Sequence, residues 1–441
     1  MENYIINLLK TQVIPAIGCT EPIAVALAAA KARELLGELP DKVEVLLSKN
    51  VLKNGMGVGI PGTGMTGLPI AVALGITSCN SSDSLELLKN VSTEDVEKAN
   101  QFIKNNNISL QRKQTDEKLY IEIICKKNDS FSRVIIAGFH TNIVFCEKNG
   151  QVILDNLQSL EQNKDNIKQN EDPFEIKLKD IYDFSVKCDI EKISFILETA
   201  KVNRIAAEVG LSSDYGLKVG RTIEDNINNG IYQESALTHA LILTTAAIDA
   251  RMGGSVVTIY SNSGSGDQGI TVTLPVLACY EKQVNKILDT KNELPVNEME
   301  KLIRALTLSH LVAIYIKMKL GVLSSFCGVT IAMIGAACGI TYLLDGDYEN
   351  ICFAIKNCAA GIIGMICDGA KNGCSIKVAA AVFAAFNAAT MAKINICPMD
   401  NEGIVHNDVE CTIENIVNIS KKGMAQLDDV ILEMMLEKID C

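Results

Sequence analysis

Histidine is scarce in this chain: His140, His239, His310 and His406 are all there is among 441 residues. They lie far apart and form no ligand pair, which weakens a zinc site built on imidazole. Basic clusters are also missing, and 41 Lys and Arg stand against 53 Asp and Glu, a net charge of −12. That balance argues against sequence-independent nucleic-acid binding, which needs a basic face to release counterions. Met1-Glu2-Asn3 leads straight into an amphipathic segment with no resemblance to a secretory leader, so the expectation is a cytoplasmic protein with reduced thiols. No GK[ST] triplet is present, and Gly55-x-Gly57-x-Gly59 lacks the spacing and acidic partner of a dinucleotide fingerprint. Internal repeats and low-complexity tracts are absent too.

What is there is apolar. Hydrophobic residues make up 48% of the chain and charged residues 21%, enough for a large core and, at this length, for two domains. Of the fifteen cysteines, most read as small buried hydrophobes, Cys338, Cys352 and Cys358 among them. Leu320–Leu344 runs 25 residues without a charge, long enough to cross a bilayer. Gly321, Gly328, Gly335 and Gly339 interrupt it, however, and the reading is a central helix surrounded by protein, with no membrane.

Strands are expected over Val43–Leu52, Leu119–Cys125, Ser132–Phe139, Thr141–Cys146 and Gln151–Leu154, with Asn149-Gly150 turning the last hairpin. Leu68–Leu74 and Thr93–Asn105 read as helices. Beyond the polar stretch Asn156–Asp172 the pattern becomes helical: Ile190–Leu211, Ala236–Met252, Met299–Leu320, and Ile413–Leu436 with Gly423 dividing it. The fold class is therefore α+β. An N-terminal domain over 1–160 carries a small, mostly antiparallel sheet, and a larger, mainly helical domain spans 173–441.

Four stretches carry chemistry. Ile17-Gly18-Cys19-Thr20-Glu21-Pro22 precedes an alanine-rich helix with Thr20 as its cap, placing Cys19 where unpaired N–H groups favour a thiolate; a packed thiol is the plain alternative. Six glycines between Gly55 and Gly67 let backbone approach closely, as a ligand loop or a structural one. Asn262-Ser263-Gly264-Ser265-Gly266 offers hydroxyls, an amide and flexible backbone to a carboxylate, or makes a plain turn. Finally Cys367 and Cys374 sit in a glycine-rich loop, with Cys327 about forty residues before. This spacing is awkward for zinc, and soft thiols without histidine suit an iron–sulfur cluster; by spacing alone, three buried structural thiols serve equally well.

Together, Ile17–Pro22, the loop from Lys53-Asn54 to Pro61-Gly62-Thr63, Asn262–Gly266 and Ile366-Cys367-Asp368-Gly369-Ala370-Lys371-x-Gly373-Cys374 resemble the L-cysteine desulfidase family, also described as serine dehydratase alpha-subunit-like proteins. The likeness covers nearly the whole chain, and the C-terminal half is similar to the iron–sulfur L-serine dehydratases. The resemblance implies a [4Fe–4S] cluster on Cys327, Cys367 and Cys374, no pyridoxal phosphate, and β-elimination from a small amino acid, with Cys19 as a further catalytic thiol. In the desulfidases L-cysteine is split to hydrogen sulfide, ammonia and pyruvate. Asn54 or Lys371 is then expected to neutralise developing charge, and Asn262, Ser263, Gly264, Ser265 and Gly266 to orient the substrate carboxylate. The dehydratases carry Ser-Ser-His-Thr near the place of Gly18-Cys19-Thr20, and this departure favours cysteine over serine. Cys441 is read as a dangling terminal thiol rather than a further ligand. Such a reading leaves room for a homodimer. A non-catalytic iron–sulfur sensor and, from Leu320–Leu344 alone, a small-molecule transporter are the readings from other classes.

Overall fold

A computed structural model describes residues 1–105, 107–157, 176–291, 298–321, 326–424 and 426–437. The expected domain boundary between 160 and 173, and Cys441, lie outside these residues.

The chain opens with helix α1 (Glu2–Gln12), strand β1 (Pro15–Ile17) and helix α2 (Thr20–Leu36). Helix α2 is buried on almost every side, from Ile23 through Ala30, and its alanines let neighbours come close. Gly75 of α4 (Leu68–Thr77) packs so tightly on it that an added Cβ would stand 2.3 Å from the Ala26 carbonyl oxygen. The helix stops at Gly37, whose left-handed φ of 91° lets its N–H reach the Arg33 carbonyl.

On the other side of α2 lies a six-stranded sheet of order β3-β2-β4-β5-β6-β7. Its strands are β2 (Lys42–Leu47), β3 (Ile108–Arg112), β4 (Tyr120–Lys127), β5 (Ser130–Ala137), β6 (Ile143–Lys148) and β7 (Gln151–Asp155). Every pairing is antiparallel except β2 with β3. Strand β2 is shorter than its sequence suggests. Ser48 ends it by donating its hydroxyl to the Lys118 carbonyl at 2.8 Å, and the chain turns at once into helix α3 (Lys49–Gly55). That turn sends the buried Asn50 and Lys53 toward Asp428, which both side chains reach. Strand β3, which only half-buries Ile108 and Leu110 at the sheet edge, carries too weak an alternation to be anticipated. After α4 the only long helix before the sheet resumes is α5 (Thr93–Lys104), opened by a Ser92–Asp95 capping box.

Apart from one short strand, the described residues that follow are mainly helical: α6 (Leu178–Lys187), α7 (Leu197–Ser212), α8 (Val219–Asn228), α9 (Ala236–Met252), α10 (Gly266–Lys291), α11 (Glu298–Leu320), α12 (Gly328–Leu343), α13 (Tyr348–Gly361), α14 (Cys374–Lys393), α15 (Val409–Asn418) and α16 (Leu427–Glu437). The uncharged run near 320–344 is not one helix: α11 ends at Leu320 and α12 begins at Gly328, buried along its length. Among the described residues one helix, α14, is long and apolar enough to cross a membrane, and half of its apolar window is buried. The apolar run Ile270–Cys279 lies inside α10, which continues through Pro275.

One connection ties the beginning of the chain to this helical part. Strand β1 pairs antiparallel with β8 (Thr258–Tyr260), Pro15 opposite Tyr260 and Ile17 opposite Thr258. The N–H groups of Ser261 and Ser263 also donate to the Ile14 and Gln12 carbonyls.

Candidate active site

The pairing of β1 with β8 delivers Cys19 to the centre of the molecule. Gly18 takes a φ of +63°, and Cys19 follows in extended conformation as the residue that caps α2, one position before the expected cap. Its thiol is buried and donates to Glu21 Oε2 at 3.2 Å. The helix start does not make this thiol acidic. Burial pushes it well above the ordinary cysteine range and the Glu21 carboxylate pushes further, with Arg251 pulling the other way. Glu21 itself stays ionised: burial opposes this, but His140 nearby and hydrogen bonds from Cys19 and Asn54 hold its carboxyl below the usual range. Asn54 Nδ2 reaches Glu21 Oε1 at 3.0 Å, so Asn54 does stand beside Cys19, through Glu21.

Across from Cys19 stands Arg251, near the end of α9. It donates to Asp267 Oδ1 at 2.7 Å and to the Gly18 carbonyl at 3.1 Å. Burial works against its charge, while Asp267, Cys19 and Glu21 all favour it. The neighbouring Gly266 has no room for a side chain, since a Cβ would meet Arg251 Nε at 2.2 Å. Asp267 in turn accepts a hydrogen bond from the Cys374 thiol. One chain of contacts thus runs from Cys19 through Arg251 and Asp267 to Cys374.

Cys374 faces Cys327 and Cys367, and the three thiols repel one another as charged groups. Burial is the main force holding Cys327 up to about 12 and raising Cys374. Two cations face them: Lys377 toward Cys327 and Cys374, and Lys317, which burial lowers to about 8, toward Cys367 and Cys327. The backbone N–H groups of Val329 and Lys371 point at Cys327 and Cys374. The loop that holds Cys367 is pinned by Lys53, whose Nζ donates to the Cys367 carbonyl at 3.0 Å. Gly369 fits only because it lacks a Cβ, which would lie 2.2 Å from the Lys53 carbonyl oxygen. Among the described residues no group of three or more His, Cys, Asp or Glu side chains forms a set able to hold a metal ion. A [4Fe–4S] cluster is several ångströms across and spreads its thiolates wider than one ion does. Three mutually facing soft donors with cations and N–H groups around them fit the chemistry of that larger group.

Helices α2, α10, α12 and α14 all begin here. A Cβ on Gly328, at the start of α12, would lie 3.3 Å from Gln268 Oε1 in the first turn of α10. Four positive helix ends and Arg251 make the centre suited to a carboxylate. Several polar atoms around it are shielded from solvent and lack a hydrogen-bond partner: Asn54 Oδ1, His140 Nε2, Arg251 Nε and Gln268 Oε1. A cleft of about 380 Å³ opens beside them, lined among others by Gly18, Thr20, His140, Arg251, Gly264 and Gly266.

The other sequence candidates have different surroundings. Lys371 pairs with Asp368, which it shares with Lys377. Asn262 is fully engaged: Nδ2 contacts His310 Nδ1 at 3.1 Å and the His310 carbonyl at 3.2 Å, while Oδ1 accepts from Ser263 Oγ and Gln268 Nε2. Ser265 Oγ accepts from the Gln268 N–H. The loop therefore braces the start of α10, and Gly264 and Gly266 are its parts that face the cleft.

His310, buried against Asn262 and Thr273 Oγ1, is held neutral by burial, down to about 3. Its proton affinity is lower in the folded chain than in the unfolded one, near 6.5, so its contribution is intact above pH 6.5 and is lost progressively as pH falls toward 3. We expect acid titration of stability to show this loss, approaching roughly 4 kcal/mol at pH 3. His310→Gln should flatten that part of the curve in urea unfolding; an unchanged slope would contradict it.

Glu21, His140, Arg251 and Asp267 are site residues that the sequence reading does not single out. Arg251 and Asp267 have a signal, charges at the edges of long apolar runs, whereas nothing near His140 ties it to Glu21, 119 positions away.

The family described as serine dehydratase alpha chain matches residues 82–433. Along nearly its full length the chain is also similar to proteins named UPF0597. That of Parabacteroides distasonis is 45% identical over 99% of both chains, that of Bacteroides fragilis 45% identical over 98% of both, and that of Porphyromonas gingivalis 44% identical over 99% of both. Their name carries no activity. With the match spanning most of the chain and the thiols, Arg251 and the helix starts gathered on one centre, the chain belongs to the serine dehydratase alpha chain family.

Proposed function

We propose that this protein is an iron–sulfur-dependent lyase that works without pyridoxal phosphate and eliminates the β-substituent of L-cysteine, giving hydrogen sulfide, ammonia and pyruvate. The observation that carries the reading is the path Cys19–Arg251–Asp267–Cys374, which joins the buried Cys19 thiol to the three-thiol centre.

Cys327, Cys367 and Cys374 would hold the [4Fe–4S] cluster, which would supply a Lewis acid there. The protein's own groups do the rest. Arg251 and the starts of α10 and α12 hold the substrate carboxylate and offset charge that develops there. Gly264 and Gly266 keep the cleft wall free of side chains. Cys19 moves the proton at the substrate Cα, and as that C–H bond breaks its electron pair forms Cα=Cβ while the Cβ–S bond opens. The released aminoacrylate hydrolyses in water to pyruvate and ammonia.

L-serine or L-threonine dehydration is the competing reading, favoured by the family's description; Gly18-Cys19-Thr20 in place of Ser-Ser-His-Thr argues for cysteine. A non-catalytic sensor leaves the cleft and the path to Cys19 without a purpose. The proposal includes a cytoplasmic location, a division into N-terminal and C-terminal domains, and room for a homodimer.

The test is anaerobic reconstitution with iron and sulfide, and then assay of sulfide and pyruvate from L-cysteine against pyruvate from L-serine. Faster turnover of cysteine is expected. Cluster-loaded protein that turns over neither amino acid would sink the reading.

A further inference from the structure

Of the three thiols at the centre, two are placed by helices. Cys327 caps the start of α12 and Cys374 opens α14, and both are buried. Cys367 stands on a loop and is the least enclosed of the three. The carbonyl of that residue accepts a hydrogen bond from Lys53 Nζ at 3.0 Å. Lys53 is 1% exposed, and its ammonium also donates to Asp428 Oδ1 at 2.5 Å. Asn50 Nδ2 holds the second Asp428 oxygen at 3.3 Å, and the neighbouring Asp429 ties α16 to Lys49 at 2.8 Å and to Arg112 at 2.7 Å. The lysine is thus gripped from α3 and α16 and reaches the backbone of one thiol residue.

A buried ion pair is a poor way to gain stability, because apolar side chains of similar volume often do as well or better. What apolar side chains lack is a donor that fixes a carbonyl in one place. The loop around Cys367 shows where that matters. Just before it, the Met365 and Ile366 carbonyls accept from the Cys327 N–H at 3.1 Å and from Lys377 Nζ at 2.9 Å. Just after it, Gly369 is pressed against the Lys53 carbonyl. Between these ties, Lys53 Nζ holds Cys367 itself.

We propose that Lys53, held by Asp428, is the positioning residue that sets where the Cys367 thiol stands toward Cys327 and Cys374. This rests on the cluster named in the lyase reading given above. A set of three ligands is only as precise as its least anchored member. The helix starts under Cys327 and Cys374 keep their places whatever happens at Lys53, whereas a loop residue shifts when its backbone anchor goes. The lysine acts through the Cys367 peptide group, since its bond is to the carbonyl. Outer contacts of this kind change metal affinity by about 10–100-fold.

Two full-length variants separate positioning from packing. Lys53→Met alone strands the Asp428 carboxylate and should unfold at lower urea than wild type. Lys53→Met combined with Asp428→Asn removes that charge and should regain most of the wild-type midpoint, while the donor to Cys367 stays absent. After anaerobic loading with iron and sulfide, this double variant should give up its iron to a chelator at least about tenfold faster than wild type. Without metal and under reducing conditions, iodoacetamide should alkylate its Cys367 several-fold faster than in wild type, with Cys327 unchanged, as read on the separate peptides by mass spectrometry. A support that served packing alone would recover both properties along with the stability. Iron loss at the wild-type rate in the double variant, or a Cys367 no more reactive there than in wild type, overturns the positioning role. Wild-type protein that takes up no iron overturns the cluster, and this proposal with it. Wild-type protein that holds its cluster yet turns over neither cysteine nor serine overturns the lyase reading alone.

Discussion

Arg251→Met lowers unfolding stability by about 3–5 kcal/mol, the cost of leaving one partner of a buried ion pair alone. Asp267 and Arg251 are almost wholly enclosed, with side-chain exposures of 12% and 7%, so neither has water to fall back on. The same substitution removes the donor to the Gly18 carbonyl, which fixes the turn ahead of Cys19. Unfolding in urea under anaerobic conditions reads the effect directly. Arg251→Met combined with Asp267→Asn should recover most of the lost stability, because the stranded charge is then gone, while activity should stay lost if Arg251 anchors the substrate carboxylate as proposed. A single-variant loss below about 1 kcal/mol, the range of a solvent-exposed pair, would show that the two groups are not buried together.

Cys19→Ser separates the proposed proton-moving group from the proposed cluster site. Serine occupies nearly the same space and still donates to Glu21, so the fold and the visible absorbance of the reconstituted cluster should be unchanged. A hydroxyl gives up its proton far less readily than a thiol, and turnover should drop by a factor on the order of 10³ or more. Cys367→Ala is the complement: cluster absorbance is lost along with activity. Should Cys19→Ser also lose the absorbance, Cys19 would have to be a ligand and the assignment of roles would change.

The α+β class, most strands and most helices can be read from period and punctuation, because burial in a two-sided sheet or between helices imposes a repeat on the apolar residues. Strand β2 reads too long since Val51 and Leu52 continue its apolar character; Ser48, whose hydroxyl ends the pairing, is an ordinary residue until its partner Lys118 is known. Around the site, short motifs mark Cys19, Asn54 and the three clustered thiols. Their environment is not readable. A helix start argues for an acidic thiol at Cys19, and burial beside Glu21 reverses that. Asn262 has the right chemistry to bind a carboxylate, yet His310 and Gln268, both distant or unremarkable in sequence, use up its amide. His140, just beyond the end of β5, comes within electrostatic reach of Glu21 because α2 packs against β5.

The pairing of β1 with β8 sets a clock on the birth of the protein. Residues 15–17 have no strand to join until residues 258–260 have been made, an interval of roughly 10–50 s at 5–20 residues per second. Throughout that time the nascent chain carries Cys19 with neither Arg251 nor a closed centre around it. Contacts remote in sequence therefore complete the site, a topology that slows folding and makes this centre among the later parts of the molecule to form.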